Sequence, residues 1–286
     1  MSLPVKKIYV DSRYMTNDSV STSNFKFQLS RNIFLPENTV FYLEDVCLPH
    51  AWHTVETGFN DTMYVYFQNT QQINLSGLYI LQIPSNNYTG AALATAIQTQ
   101  LRKIDSTFVA TYDTNNHCIS INLTNANLIY KIPSDNELAT SPYAGYTTFP
   151  VSSNLTLNQS SLNSWNDLIG NTNTATDVYF AGTPFVSGML DLLAIRNIYI
   201  SSPNLGSFST MGARGESNIV KKVPVSSDFG YLIIDSFTSP HDFLDCSKMT
   251  LGTIEFNLRD VKGKFIPLHG GHVSFSIVFS TAKLDA

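Results

Sequence analysis

The chain has 286 residues, of which 43% are hydrophobic and only 14% charged, and its formal net charge is −5. A charged share so far below the usual quarter, with Asn, Ser and Thr carrying the polarity, suits a protein that buries uncharged faces against neighbours. The negative balance argues against direct nucleic-acid binding, which needs clustered Lys and Arg to neutralise phosphates, and no apolar run is long enough to predict a membrane span.

The opening segment MSLPVKKIYVDSRY lacks the apolar core of a secretory leader, so none is expected. Cys47, Cys118 and Cys246 are an odd, scattered set without CxxC spacing. They read as free thiols of a reducing compartment. The seven NxS/T triplets beginning at Asn17, Asn60, Asn74, Asn87, Asn122, Asn154 and Asn158 are what chance gives in a chain rich in these residues, and are expected to stay unmodified.

Taken in order, residues 1–22 are polar, with one short apolar piece at Ile8–Val10, and are expected to form an N-terminal arm or an edge strand. Asn24–Ser30 alternates, placing Phe25, Phe27 and Leu29 on one face, and predicts a strand. Pro36-Glu37-Asn38 marks a turn before a second strand, Thr39–Leu48, where Glu44 and Asp45 interrupt the pattern and suggest a bulge. Thr62–Gln68 is aromatic on both faces, as for a central or doubly covered strand.

The pattern then changes. Leu78–Ile83 is a strand closed by Pro84. Gly90–Ile104 is a helix with the stripe Leu93, Ile97, Leu101 and Ile104. Thr107–Tyr112 and Cys118–Leu123, joined by DTNNH, predict a hairpin, and Leu128–Ile132 a further strand. This strand–helix–hairpin–strand unit is expected to be an inserted α+β lobe. Residues 135–182 are Ser/Thr/Asn-rich, with a short helix over Leu162–Ile169.

From Asn197 onward the chain is strand after strand: Asn197–Ser201, Asn218–Val223, Tyr231–Asp235, Thr253–Leu258 and His272–Phe279. In the last, Val273, Phe275, Ile277 and Phe279 share one face. Three scaffold strands before the lobe and five after it suggest the fold class all-β, a single jelly roll, that is, an eight-stranded antiparallel β-sandwich, with a small inserted α+β lobe. A sandwich of another topology fits the periodicity equally well. The expected domains are the arm at 1–22, the jelly roll at 23–72 and 186–286, and the insertion at 73–185.

Chemistry is sparse. His50, His53 and Glu56 come closest to a metal set, but residues three apart on an extended segment point to opposite faces. His269 and His272 read as a turn before the final strand. There is no GxSxG, Walker loop, GxGxxG or HExxH. Gly206–Gly215 lacks the Lys and following helix of a phosphate cradle, and Arg214-Gly215-Glu216 is only loosely like an integrin-binding tripeptide. Lys221 and Lys222 are adjacent on a strand, so one faces out and the other toward the second face. No catalytic, cofactor-binding or metal-binding residue is assigned, no cofactor is expected, and the chain is not expected to be an enzyme.

Four stretches carry a family resemblance: IYVDSRY (Ile8–Tyr14) with SNFKFQL; LPENTVFYLEDVCLPHAWHTVE (Leu35–Glu56); NYTGAALATAIQTQL (Asn87–Leu101); and Asn197–Asp235 running on to Leu258–Phe279. In this order they resemble the penton, or minor capsid, proteins of virophages and Polinton-type elements. Residues 135–182 match least. The resemblance implies a structural capsid protein: a single jelly roll forming homopentamers at the five-fold vertices of an icosahedral capsid. It also implies a double jelly-roll major capsid protein as partner, and a virion location after assembly in the host cytoplasm. The alternative is a glycan- or receptor-binding jelly-roll module, with Trp52, Trp165, Tyr143 and Tyr146 as candidate stacking aromatics.

Overall fold

The structure is a computed structural model and describes residues 6–72, 76–140, 148–149, 162–171, 178–193, 195–205, 210–236 and 242–281. The chain divides into two compact units. The first is Met1–Trp52 with Ile195–Ala286, and the second is His53–Ala194.

The first unit holds β1 (Lys6–Asp11), β2 (Asn24–Phe34) and β3 (Thr39–Pro49) before the second unit begins. The second unit contributes β4 (Thr62–Asn69), β5 (Gly77–Gln82), α1 (Gly90–Leu101), β6 (Val109–Asp113), β7 (Cys118–Asn122), β8 (Leu128–Lys131) and α2 (Asp135–Thr140). It continues with β9 (Thr148–Phe149), α3 (Asn166–Ile169), β10 (Tyr179–Phe180) and β11 (Phe185–Val186). The chain then returns to the first unit with β12 (Asn197–Ser201), β13 (Ile219–Pro224), β14 (Leu232–Asp235), β15 (Leu244–Asp245), β16 (Thr250–Arg259) and β17 (Ser274–Thr281).

In the first unit all strand pairs are antiparallel and fall into two sheets. One runs β1-β17-β3-β14, with the short β15 also on β3, and the other runs β13-β12-β16-β2. Most successive strands therefore cross from sheet to sheet, the exceptions being the hairpin β12–β13 and the pair β14 and β15, both on β3. The two inner faces meet through Phe256 of β16, whose ring lies 4.8 Å from that of Phe275 on β17 in an edge-to-face contact and 5.6 Å from Phe25 on β2. All three rings are buried. This core forms because each strand alternates. Ile254, Phe256 and Leu258 point inward, while Glu255 sits on the opposite face and its N–H is taken by the Asn204 carboxamide, 2.7 Å away.

Of the two readings of the N-terminal segment the edge strand holds for Lys6–Asp11, in place of an arm: it borders the first sheet in register with β17, from Lys6 opposite Phe279 to Asp11 opposite Ser274. Ser12 anchors its end: its N–H donates to Val273 O at 2.9 Å and its Oγ accepts from Val273 N at 3.0 Å. Thr62–Asn69, expected among the scaffold strands, lies in the second unit. The bulge expected at Glu44 and Asp45 is present. Val46 pairs with Phe275 but Leu43 with Ile277, so β3 carries an extra residue there. The turn before β3 uses Asn38 at φ 58°, a left-handed geometry that Asn tolerates, as expected for the Pro36–Asn38 signal.

In the second unit β4 is central in a sheet ordered β10-β8-β4-β5-β9, which explains its two apolar faces. Met63, Val65 and Phe67 pack in one cluster with Leu93, Ile97 and Leu101 of α1. Tyr64 joins Leu78, Leu138 and Leu162 in another. Helix α1 starts where Thr89 accepts a hydrogen bond from Ala92 N, and its residue Gly90 lies so close to the Tyr112 ring that a Cβ would sit 2.4 Å from it. β6 and β7 form the expected hairpin, extended by β11.

The tightest backbone approach in this unit is at Gly188, where a Cβ would lie 2.5 Å from Gly170 O. Gly188→Ala is expected to lower the stability of this unit by about 1–3 kcal/mol, because backbone must move to admit the methyl. An earlier urea midpoint, followed by the fluorescence of the buried Trp165, checks it; an unchanged midpoint would show that the loop yields freely.

Candidate assembly surface

The histidines singled out in the sequence each hold local structure. The His50 ring is buried, stacks 4.3 Å from the Trp52 ring, and its Nδ1 lies 2.7 Å from Ser227 O. Gly230 N donates to His50 O and His50 N to Tyr231 O, so this residue ties the end of β3 to the start of β14. Glu56 is buried. Its Oε2 accepts from the His53 backbone N–H at 2.9 Å and lies 3.2 Å from His53 Nδ1, closing a turn. His272 Nδ1 is 3.2 Å from Ser12 Oγ. His269 and Gly270, at φ 48° and 82°, form the turn that precedes the last strand.

Of the aromatics considered for stacking on a ligand, Trp52 is 3% exposed and Trp165 0%. Both fill interior space, which removes them from that role. Tyr143 and Tyr146 lie outside the described residues. The thiols follow the sequence reading, with Cys47 half-buried, Cys118 and Cys246 buried, and all three free. Burial, reinforced by the neighbouring Asp245 charge, pushes the Cys246 thiol up to about 12. In the native protein a disulfide reagent at mildly alkaline pH is expected to label Cys47 first, with Cys118 and Cys246 following only on unfolding. Three thiols reacting together before the unfolding transition would contradict this burial pattern.

The pair of lysines resolves as the alternation requires. Lys221 turns inward from β13. Its Nζ donates to Leu43 O on β3 at 3.1 Å and sits 3.7 Å from the Asp235 carboxylate on β14, so it links the two sheets. Lys222 faces solvent.

The feature that stands out on the first unit is β14. Among the described residues it pairs with β3 alone, so its other side is a free sheet edge. Ile233 points into the core opposite Leu48, and both are fully buried. The outward residues are not the polar ones that a solvated strand shows. Tyr231 is 69% exposed, Leu232 56% and Ile234 64%. Phe229 lies just before them, and the exposed Phe243 stacks on Tyr42 of β3 at 4.8 Å. A sheet edge bearing large bare apolar side chains is a template for association unless something covers it. Sequence periodicity gave only a weak hint of it. Tyr231-Leu232-Ile233-Ile234 is continuously apolar, which reads equally well as a strand buried on both faces.

In sequence the chain matches no family model and no curated protein. Among solved structures it is similar to the mavirus penton protein, known from a crystal structure, at 9% identity and a TM-score of 0.47, with the alignment covering 97% of this chain and 100% of that one.

Proposed function

We propose that the chain is a structural capsid protein. Its first unit is read as a single jelly roll that assembles with copies of itself into homopentamers at capsid vertices, with a double jelly-roll major capsid protein as neighbour. The virion is then its location, after assembly in the host cytoplasm. The strand order supports the jelly roll: β1-β17-β3-β14 facing β2-β16-β12-β13 is the arrangement in which two Greek keys wrap into a sandwich. The second unit enters between β3 and β12 as the inserted lobe. In this reading the brick works through its surfaces, and no bond is made or broken on it.

The observation that carries the reading is the β14 edge, with Tyr231, Leu232 and Ile234 exposed on a strand that pairs, among the described residues, with β3 alone. A monomer in water gains nothing from such an edge, whereas an assembly unit buries it in every contact. The low charged share, 14%, points the same way. The test is light scattering coupled to size exclusion, with electron microscopy of the same fractions. Five-membered rings are expected, formed alone or on addition of the lattice partner. Monomer at every concentration, with the partner present, would overturn the proposal.

A further inference from the structure

A cavity of about 480 Å³ opens on the outer face of the second sheet of the first unit, away from the β14 edge. Its floor is made by side chains that alternate with the core positions: Tyr199 and Ser201 of β12, and Asn257 and Arg259 of β16. Its walls are two turns, one containing Glu216 and the other Asp260. The turns are tied together, since the Arg214 guanidinium donates to Lys262 O and occupies the space where a Cβ on Gly263 would be. Within the first turn, Gly212 N donates to Glu216 O at 2.7 Å and Gly215 N to Gly212 O at 3.0 Å. The cavity is therefore a built feature of the fold.

Three properties restrict what it holds. Its volume lies in the range of small-molecule sites. Asn257 is only 7% exposed as a residue, and its carboxamide, for which the described residues show no side-chain hydrogen bond, opens onto the cavity floor. It offers a donor and an acceptor there to a ligand that supplies both in return. The charges, finally, do not suit an anion. Glu216 and Asp260 line the walls, while Arg259 is already engaged, donating to Gly263 O at 3.2 Å with its guanidinium 4.2 Å from the Phe265 ring centroid. Each carboxylate is in turn partly used: Glu216 accepts from Arg214 N and Asp260 from Lys264 N. What remains is an aromatic wall, a free amide and acceptor oxygens, the groups that recognise neutral hydroxyls.

We infer that this cavity binds a neutral saccharide, its hydroxyls bridging the Asn257 carboxamide and the Glu216 and Asp260 carboxylates beside the Tyr199 ring. The site belongs to the sheet opposite the proposed assembly edge, so binding and assembly can fail independently.

The experiment is saturation-transfer NMR on the full-length protein. The probes are methyl glucoside, methyl galactoside, N-acetylglucosamine and lactose, with sialyllactose as an anionic comparator. Transfer to at least one neutral probe is expected. Asn257→Ala should weaken it about tenfold, as loss of the hydrogen bonds made by the carboxamide implies. Ser217→Phe, on the cavity wall, should block it by filling the space, and it decides the matter if Asn257→Ala fails to fold. Glu255→Gln, which does not line the cavity, should leave it unchanged. No transfer from any neutral probe, transfer from sialyllactose alone, or transfer indifferent to both cavity variants would each overturn the inference.

Discussion

Replacing Leu232 and Ile234 together by aspartate is expected to abolish ring formation while leaving the protein folded. Both side chains point away from the core, at 56% and 64% exposure, so the folded monomer loses little when they go. In an assembled contact each apolar side chain that becomes fully buried contributes about 1–2 kcal/mol beyond its present burial. Losing both weakens each contact by about thirtyfold to about eight-hundredfold. The introduced carboxylates add a desolvation cost at the same place. Light scattering should report a monomer with an unchanged circular dichroism spectrum and thermal midpoint. Rings that persist in the double variant would move the assembly surface elsewhere on the molecule.

The second large effect is expected inside the sandwich. Phe256 touches Phe25 within its own sheet and Phe275 across the interior, and all three are buried. Phe256→Ala removes the ring that joins the two sheets and leaves a cavity between layers that cannot collapse without moving strands. A loss of about 3–5 kcal/mol is expected. It should appear as a lower denaturant midpoint for the first unit, and be far larger than the effect of a polar substitution at neighbouring Glu255 on the outer face. A loss under about 1 kcal/mol would mean that the two inner faces are not held by this contact.

How much of this was legible beforehand depends on the residue. Strands with clean alternation, such as TIEFNL and NFKFQLS, could be placed on a face from the sequence, and so could the stripe of α1. The interruption at Glu44-Asp45 could be read as a bulge because neighbours on a strand face opposite ways, so one of two adjacent acids would fall on the covered face unless an extra residue is inserted. The first strand was harder. Lys6-Lys7 leave only Ile8 and Val10 as inward positions, too short a pattern to distinguish from an arm. Thr62–Asn69 misled in the opposite sense. Apolar residues on both faces are what a central strand requires, but the pattern cannot say in which sheet it is central. Eight scaffold strands were expected and nine are present among the described residues: one was wrongly included, while β1 and the two-residue β15 were left out of the count. Strand order is set by pairing between residues more than two hundred positions apart, such as Val10 with Phe275, and no local pattern records it. The cavity was equally hidden, since Asn257 reads in sequence as one more polar residue on the wet face of a strand.

Lys221 has a consequence that reaches beyond its own pairing. It lies on β13, the outermost strand of its sheet, and it points its charge inward. A foreign strand docking along that margin would meet a twisted border held by a tethered ammonium, an arrangement that discourages endless edge-on stacking. The margin at β14 also carries an inward charge, Asp235, the partner of Lys221, but its outward side chains Leu232 and Ile234 are large and bare. A particle with one adhesive border and one refusing border joins its copies in a single sense of direction, and such a chain of contacts either closes on itself or winds into a filament. In the proposed assembly, the angle at which the β14 margin meets the next copy would set whether the contacts close into a ring or run on as a filament.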